Sequence, residues 1–175
     1  MATIYLFRGI SATGKTTITN TLSGKYNLPV FRKDDIYDSI QKSLTHGEKT
    51  RISYDALASI IQTNINAGIN VIVDIALPHK PYIKEFLLKL DLYGHELYSF
   101  MCVCSDKEVW LNRWKERLKN PAPNQLFIDV DKIEDYYSKF DCTILEKEMV
   151  IDSVENVEHA IAATECFFQN LTWQC

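Results

Sequence analysis

No stretch of this 175-residue chain stays apolar for the roughly 20 residues that a helix needs to cross a bilayer, so no membrane partner is expected. Cysteine is sparse and odd in number, at five, with no C-x-x-C pair. That pattern disfavours both a disulfide scaffold and a structural zinc site. Cys102 and Cys104 share a face if 98–104 is a strand, and read as core thiols. Basic charge is not in excess either: 19 Lys and Arg against 23 Asp and Glu leave a net −4. A broad nucleic-acid surface is therefore disfavoured. His46, His79, His95 and His159 are scattered, with no metal or triad spacing, and receive no role. The first eight residues have no basic leader or cleavage site and read as a strand rather than a signal peptide. A reducing, cytoplasmic setting is expected, in which the sequon Asn170-Leu171-Thr172 carries no weight. Repeats, low-complexity tracts and linkers are missing, so 1–175 reads as one domain.

What is present is an ordinary globular composition, 46% hydrophobic and 24% charged. Apolar runs at 2–8, 28–32, 70–74, 97–104 and 148–152 read as strands. The 97–104 run barely alternates, as in a central strand covered on both faces. Helical patterns lie between them. One opens at Asp34 and runs toward Thr45, stopped near Gly47. The next presents Ile52, Ala56, Ile60 and Ile65 and ends at Gly68. Ile83, Phe86, Leu87 and Leu90 mark another, closed near Gly94. Ser105 with Glu108 reads as a capping box for a helix to Lys119, broken by Pro121 and Pro123. A short helix follows over 131–137, and Val157, Ile161, Thr164, Phe168 and Leu171 stripe a last one. Strand–helix alternation predicts an α/β parallel sheet covered on both faces. The polar stretch 105–140 interrupts it and reads as a mobile lid.

One motif is specific. Gly9-Ile10-Ser11-Ala12-Thr13-Gly14-Lys15-Thr16 fits G-x-x-x-x-G-K-[ST], between a strand and a helix. Glycines let successive N–H groups face inward as an anion nest, and the following helix adds its positive dipole end. Gly9, Ser11, Ala12, Thr13, Gly14, Lys15, Thr16 and Thr17 are thus the candidate nucleotide-phosphate residues. Lys15 would place a charge between β- and γ-phosphates, and Thr16 would ligate Mg²⁺.

Other residues narrow the chemistry. A guanine-reading N-K-x-D is missing, and the strand 71–74 ends in Asp74-Ile75 where a motor ATPase usually has Asp-Glu. Both favour phosphoryl transfer over hydrolysis. Asp34 and Asp35 follow the second strand, whose carboxyl end faces the same crevice as the loop. A carboxylate there is either a general base for an acceptor hydroxyl or an acidic helix start; Asp34 is favoured as base because it comes first. Asp74 would hold Mg²⁺ through water, or orient Lys15 or Thr16. Arg113 and Arg117, four apart, share a helix face and could close over a triphosphate or simply be solvated. Trp110 and Trp114 suit packing or lid docking, and Tyr136 and Tyr137 packing.

In order, the loop 9–16, the Asp34-Asp35-Ile36 station, the strand 71–74 and the Arg113/Arg117 helix resemble the small P-loop kinases of the zeta-toxin, chloramphenicol-phosphotransferase and polynucleotide-kinase type. The stretch 104–113 resembles the lid entry of this group, and the resemblance spans most of 1–152. It implies a P-loop three-layer sandwich with sheet order 2-3-1-4-5 and a short helical lid. It also implies ATP and Mg²⁺ as cofactors, Asp34 as base, Arg117 as transition-state arginine and Arg113 beside it. By the same resemblance, 150–154 would line the adenine site. Many members carry Arg three residues after the catalytic Asp; here that residue is Tyr37. The implied acceptor is therefore a neutral or aromatic small molecule with a hydroxyl, contacted from 37–60 and 76–82, Tyr37 and Arg51 first. Polynucleotide 5′-hydroxyls and a nucleotide-binding, toxin-like regulator with little transfer activity are the alternatives. The protein would act as a monomer or homodimer.

Overall fold

The computed structural model describes residues 1–40, 43–121 and 129–168. Five strands, β1 (Thr3–Arg8), β2 (Val30–Arg32), β3 (Val71–Ile75), β4 (Glu96–Val103) and β5 (Met149–Asp152), form one all-parallel sheet of order β2-β3-β1-β4-β5. This is the expected order. Strand β1 sits at the centre, and all six of its residues are buried. Its side chains alternate between two cores, as the period of a strand requires. Ile4 and Leu6 join Val71, Val73 and Leu57, Ile61 and Ile65 of α3 (His46–Asn66), with Ile83 and Phe86 of α4 (Lys80–Leu87). Tyr5 and Phe7 face Ile72, Phe100, Ile18 and Leu22 of α1 (Lys15–Tyr26), and Ala160 of α7 (Val157–Glu165). Among the described residues, no helix is long and apolar enough to cross a membrane.

Several boundaries differ from the sequence reading. The helix opening at Asp34 is short: α2 spans Lys33–Ser39 and does not reach Thr45. Gly47 is not a stop but lies in the first turn of α3. Thr45 caps that helix, its hydroxyl accepting the Glu48 N–H at 3.3 Å while Glu48 accepts the Thr45 N–H at 2.9 Å. This reciprocal box outweighs a glycine that meets no steric demand. The buried stripe of α3 is Ser53, Leu57, Ala58, Ile61 and Ile65, which turns Ile60 outward. The cap of α5 (Lys107–Lys119) is Asp106, which accepts from Glu108 and Val109, so Ser105 lies one residue too early. Helix α4 ends at Leu87, well before Gly94, and α7 ends at Glu165, before Phe168. The break at Pro123, Leu171 of the last stripe and the sequon lie outside the described residues. Cys102 is buried, and desolvation pushes its thiol up to about 12. Cys104 is only half-buried and packs beside Trp110.

One buried ion pair joins the loops around the sheet's carboxyl edge. Arg8, the last residue of β1, is fully buried with Glu148, Nη2 to Oε2 at 2.6 Å and Nε to Oε1 at 2.7 Å. Its remaining N–H groups donate to Leu77 O (3.2 Å), Pro78 O (2.7 Å) and Thr143 O (3.1 Å). Glu148 also accepts from Ser99 Oγ at 2.6 Å and Leu145 N at 2.9 Å. All five guanidinium donors are therefore used, the condition under which a buried charge is tolerated. Burial alone would raise the Glu148 carboxyl. Arg8, Ser99 and Leu145 outweigh it and hold its pKa below the ordinary 4.5.

Arg8→Met should cost about 3–5 kcal/mol in denaturant unfolding, because Glu148 is left charged and unpaired. Arg8→Met with Glu148→Leu should cost clearly less than the sum of the two single changes. Because the folded pKa is depressed, this contribution is complete above the unfolded value of 4.5 and is lost as pH falls through the folded one. A melting temperature insensitive to acid in that range, in wild type, would contradict the assignment.

Candidate active site

The loop after β1 has a backbone few residues allow. Gly9 has φ +141, and a Cβ there would lie 2.2 Å from the Cys102 carbonyl oxygen, so a side chain is excluded. Gly14 (φ +79) turns the chain into α1, and Ala12 holds φ 65 between them. Thr13 is buried and its hydroxyl donates to Ile10 O at 2.8 Å, bracing the loop internally. The first turn of α1 has no side-chain cap and no acidic residue. Its orphan N–H groups and dipole end are thus left for an anion.

Lys15 is buried, and its Nζ donates to Ile10 O at 2.7 Å. Desolvation lowers its pKa, opposed chiefly by the Asp74 charge. Thr16 Oγ1 donates to Asp74 Oδ2 at 2.9 Å, joining loop and β3 across 58 residues. Thr19 reaches the same oxygen at 3.4 Å. Thr17 is exposed on α1. Arg32, which the sequence reading passed over, also faces Asp74, Nε to Oδ2 at 3.6 Å. Its signal was strand register: Arg32 pairs with Asp74 between β2 and β3.

The two aspartates of α2 diverge. Asp34 lines the cleft beside the loop and pairs with Lys33 at 2.7 Å. Asp35 is more exposed and faces Arg32 at 3.7 Å. The two arginines of α5 diverge as well. Arg117 lines the same cleft, its guanidinium 5.7 Å from the Trp114 ring. Arg113 turns to the other side, donating to Ser153 Oγ at 2.7 Å and to Ser153 O, just after β5. There Ser153 also packs 3.6 Å from where a Gly14 Cβ would stand. Tyr37 does not line the cleft. It is buried, with its hydroxyl 2.7 Å from His46 Nδ1. Arg51 does line it, paired with Asp55 at 3.6 Å.

Helices α5 and α6, in the segment read from the sequence as a lid, are stitched to one loop residue. Trp110 Nε1 of α5 donates to Ser11 O at 2.9 Å. Tyr137 of α6 (Val130–Ser138) accepts the Ser11 N–H at 3.3 Å and donates to Ser11 Oγ at 3.1 Å. Ser11 thus spends its amide, carbonyl and hydroxyl on two lid aromatics. Tyr137 was expected only to pack. From Ser11 and Asp34 a cleft of about 480 Å³ opens between α3 and α4 on one side and the lid on the other. That volume lies within the range of about 300–1,000 Å³ usual for small-molecule sites.

A five-stranded 2-3-1-4-5 sheet with this loop at the end of its central strand is the P-loop kinase-like fold. Over residues 4–141 the chain matches the family described as an AAA domain (AAA_33), and it belongs to that family. No curated protein matches it in sequence. Solved structures share its fold at low identity. A sugar kinase from Janibacter sp. HTCC2649, unliganded, is 16% identical with TM-score 0.68, covering 96% of this chain and 95% of that one. A gluconokinase from Sinorhizobium meliloti 1021 is 15% identical with TM-score 0.63 over 97% and 95%. The tunicamycin resistance protein of Deinococcus radiodurans is 16% identical with TM-score 0.64 over 98% and 96%.

Tyr137→Phe removes both hydrogen bonds to Ser11 while keeping the ring. Amide exchange at Ser11 in the nucleotide-free protein should then speed up, and exchange as slow as in wild type would show that the stitch carries no weight.

Proposed function

We propose that the protein is an ATP-dependent kinase that moves the γ-phosphoryl group of ATP to a hydroxyl of a small-molecule acceptor. One observation carries the reading: an uncapped, intact phosphate loop opens at Ser11 onto a cleft that Asp34 and Arg117 also line. The zeta-toxin-like resemblance of the sequence points the same way.

The residues present fit Mg²⁺. Among the described residues there is no cluster of three or more His, Cys, Asp or Glu for a metal. Mg²⁺ bound with nucleotide does not need one, since one carboxylate, water and phosphate oxygens suffice. Thr16 and Asp74, already joined at 2.9 Å, would hold it, Asp74 through water. When bound, the ion neutralises phosphate charge.

The chain's own residues do the rest. The loop amides and Lys15 cradle the β- and γ-phosphates, Lys15 exchanging the Ile10 carbonyl for phosphate oxygen. Asp34 accepts the proton of the acceptor hydroxyl. That oxygen bonds to the γ-phosphorus as the bond to the β,γ-bridging oxygen breaks, and ADP leaves. Arg117 offsets charge on the phosphoryl group in transit. Arg113 docks the lid helix to Ser153, within the 150–154 segment proposed for adenine.

Lys15→Ala should abolish transfer from ATP. Asp34→Asn should lower kcat by about 10²–10⁴-fold with little change in ATP affinity; equal losses in both would sink the base assignment. Arg117→Ala should lower kcat by roughly 10³-fold, and unchanged turnover would remove its role.

A further inference from the structure

The cleft is walled by rings. On one side Tyr54 of α3 packs edge-on to Phe86 of α4 (5.7 Å), with Tyr82 beside His79 at 4.6 Å. On the lid side stand Trp114, Tyr136, Tyr137 and Phe140, Tyr136 and Phe140 lying 4.7 Å apart. His79 and Phe140, 5.6 Å apart, link the two walls.

The polar groups of the rim are mostly committed. Lys33 pairs with Asp34 at 2.7 Å, and Lys89 and Arg51 both pair with Asp55, at 2.8 and 3.6 Å. His46 Nδ1 is taken by Tyr37, and His79 Nδ1 accepts the Asp141 N–H at 3.0 Å. Two buried polar atoms are not committed. Thr50 Oγ1 and Trp114 Nε1 are buried without a hydrogen-bond partner among the described residues, and both residues line the cleft. Trp114 is only 3% exposed. An orphaned buried donor costs free energy unless something supplies an acceptor.

These observations discriminate between acceptors. An open-chain polyol would bury many hydroxyls, each needing a partner, against walls built largely of ring faces and edges. An anionic acceptor would need a cation; Lys33, Lys89 and Arg51 are already paired with carboxylates, and the proposed mechanism gives Arg117, which also lines the cleft, to the phosphoryl group. A flat ring system stacks on such walls, and one or two oxygen substituents satisfy Trp114 and Thr50. We infer that the acceptor is a neutral, ring-bodied alcohol carrying a further oxygen substituent, lodged between the Tyr54–Phe86 wall and the lid with its hydroxyl toward Asp34. This rests on the cleft being the acceptor site of the proposed kinase.

Binding and transfer are tested separately. Saturation-transfer NMR on the nucleotide-free protein compares 2-naphthylmethanol and 6-methoxy-2-naphthylmethanol with glycerol, erythritol and D-gluconate. The naphthyl alcohols should bind at least about tenfold more tightly than the polyols, with the methoxy compound ahead. Tyr82→Ser, an exposed position that leaves the fold intact, should weaken them by several-fold. Equal or tighter polyol binding, or naphthyl binding indifferent to Tyr82→Ser, overturns the inference. The same panel is then offered with ATP and Mg²⁺. Transfer that favours gluconate or glycerol overturns the inference and leaves the kinase reading standing. Ring binding with the expected Tyr82 dependence, but no transfer to any alcohol, upholds the ligand class and counts against the kinase reading.

Discussion

The buried Arg8–Glu148 pair is the constraint on which the arrangement of the site depends. Arg8 ends the central strand one residue before Gly9 opens the phosphate loop. Its guanidinium holds the carbonyls of Leu77 and Pro78, which border the cleft, and of Thr143, on the return from the lid to β5. A charge this deep is stable only if every donor is met, so it ties two connections, β3–α4 and α6–β5, to the strand that runs into the phosphate loop. A hydrophobic residue at this position would pack but would not specify where those carbonyls go. The loop, the floor of the cleft and the base of the lid thus share one anchor.

Above that anchor, the loop itself is held from two sides. From below, Gly9 lies against the Cys102 carbonyl too closely for any side chain. From above, Ser11 is bonded to Trp110 and Tyr137 of the lid. In this state Tyr137 occupies a loop amide, and Lys15 is turned to the loop's own Ile10 carbonyl. Both contacts are single hydrogen bonds at the loop rather than core packing, so on the proposed reading a phosphate replaces them without disturbing the core. The proposed metal station differs. Thr16 and Asp74 are already joined, and Arg32 steadies Asp74 from the neighbouring strand. On the proposed reading, nucleotide therefore has little to reorganise.

Much of this was legible in the sequence because it is encoded over short range. The loop motif, the β-branched strand that carries Asp74 and the strand–helix alternation each depend on a few consecutive residues, and the sheet order follows from the resemblance they support. The misread boundaries were also local, but two signals competed. At 45–48, a capping box and a glycine suggested opposite things, and the box prevailed because its two hydrogen bonds outweigh a glycine's mere tolerance of a turn. Ile60 turns outward because the buried stripe of α3 runs through Ser53, Leu57, Ala58, Ile61 and Ile65. What could not be read were contacts between distant positions: Ser11 with Tyr137 lies 126 residues apart, and Arg113 with Ser153 lies 40. Tyr37 shows the same limit. Its position after Asp34 suggested the acceptor, yet a bond to His46 and burial take it out of the cleft. The aromatic walls come from four separate elements, and no window of sequence contains them.

The central claim is that the loop is a nucleotide-phosphate cradle whose Mg²⁺ station is Thr16 with Asp74. Calorimetric titration with a non-hydrolysable ATP analogue, with and without Mg²⁺, on wild type and Thr16→Val tests it most directly. The account predicts saturable binding that Mg²⁺ strengthens in wild type and no longer strengthens in Thr16→Val. No binding to the folded wild-type protein, or the same Mg²⁺ enhancement in both proteins, would contradict it.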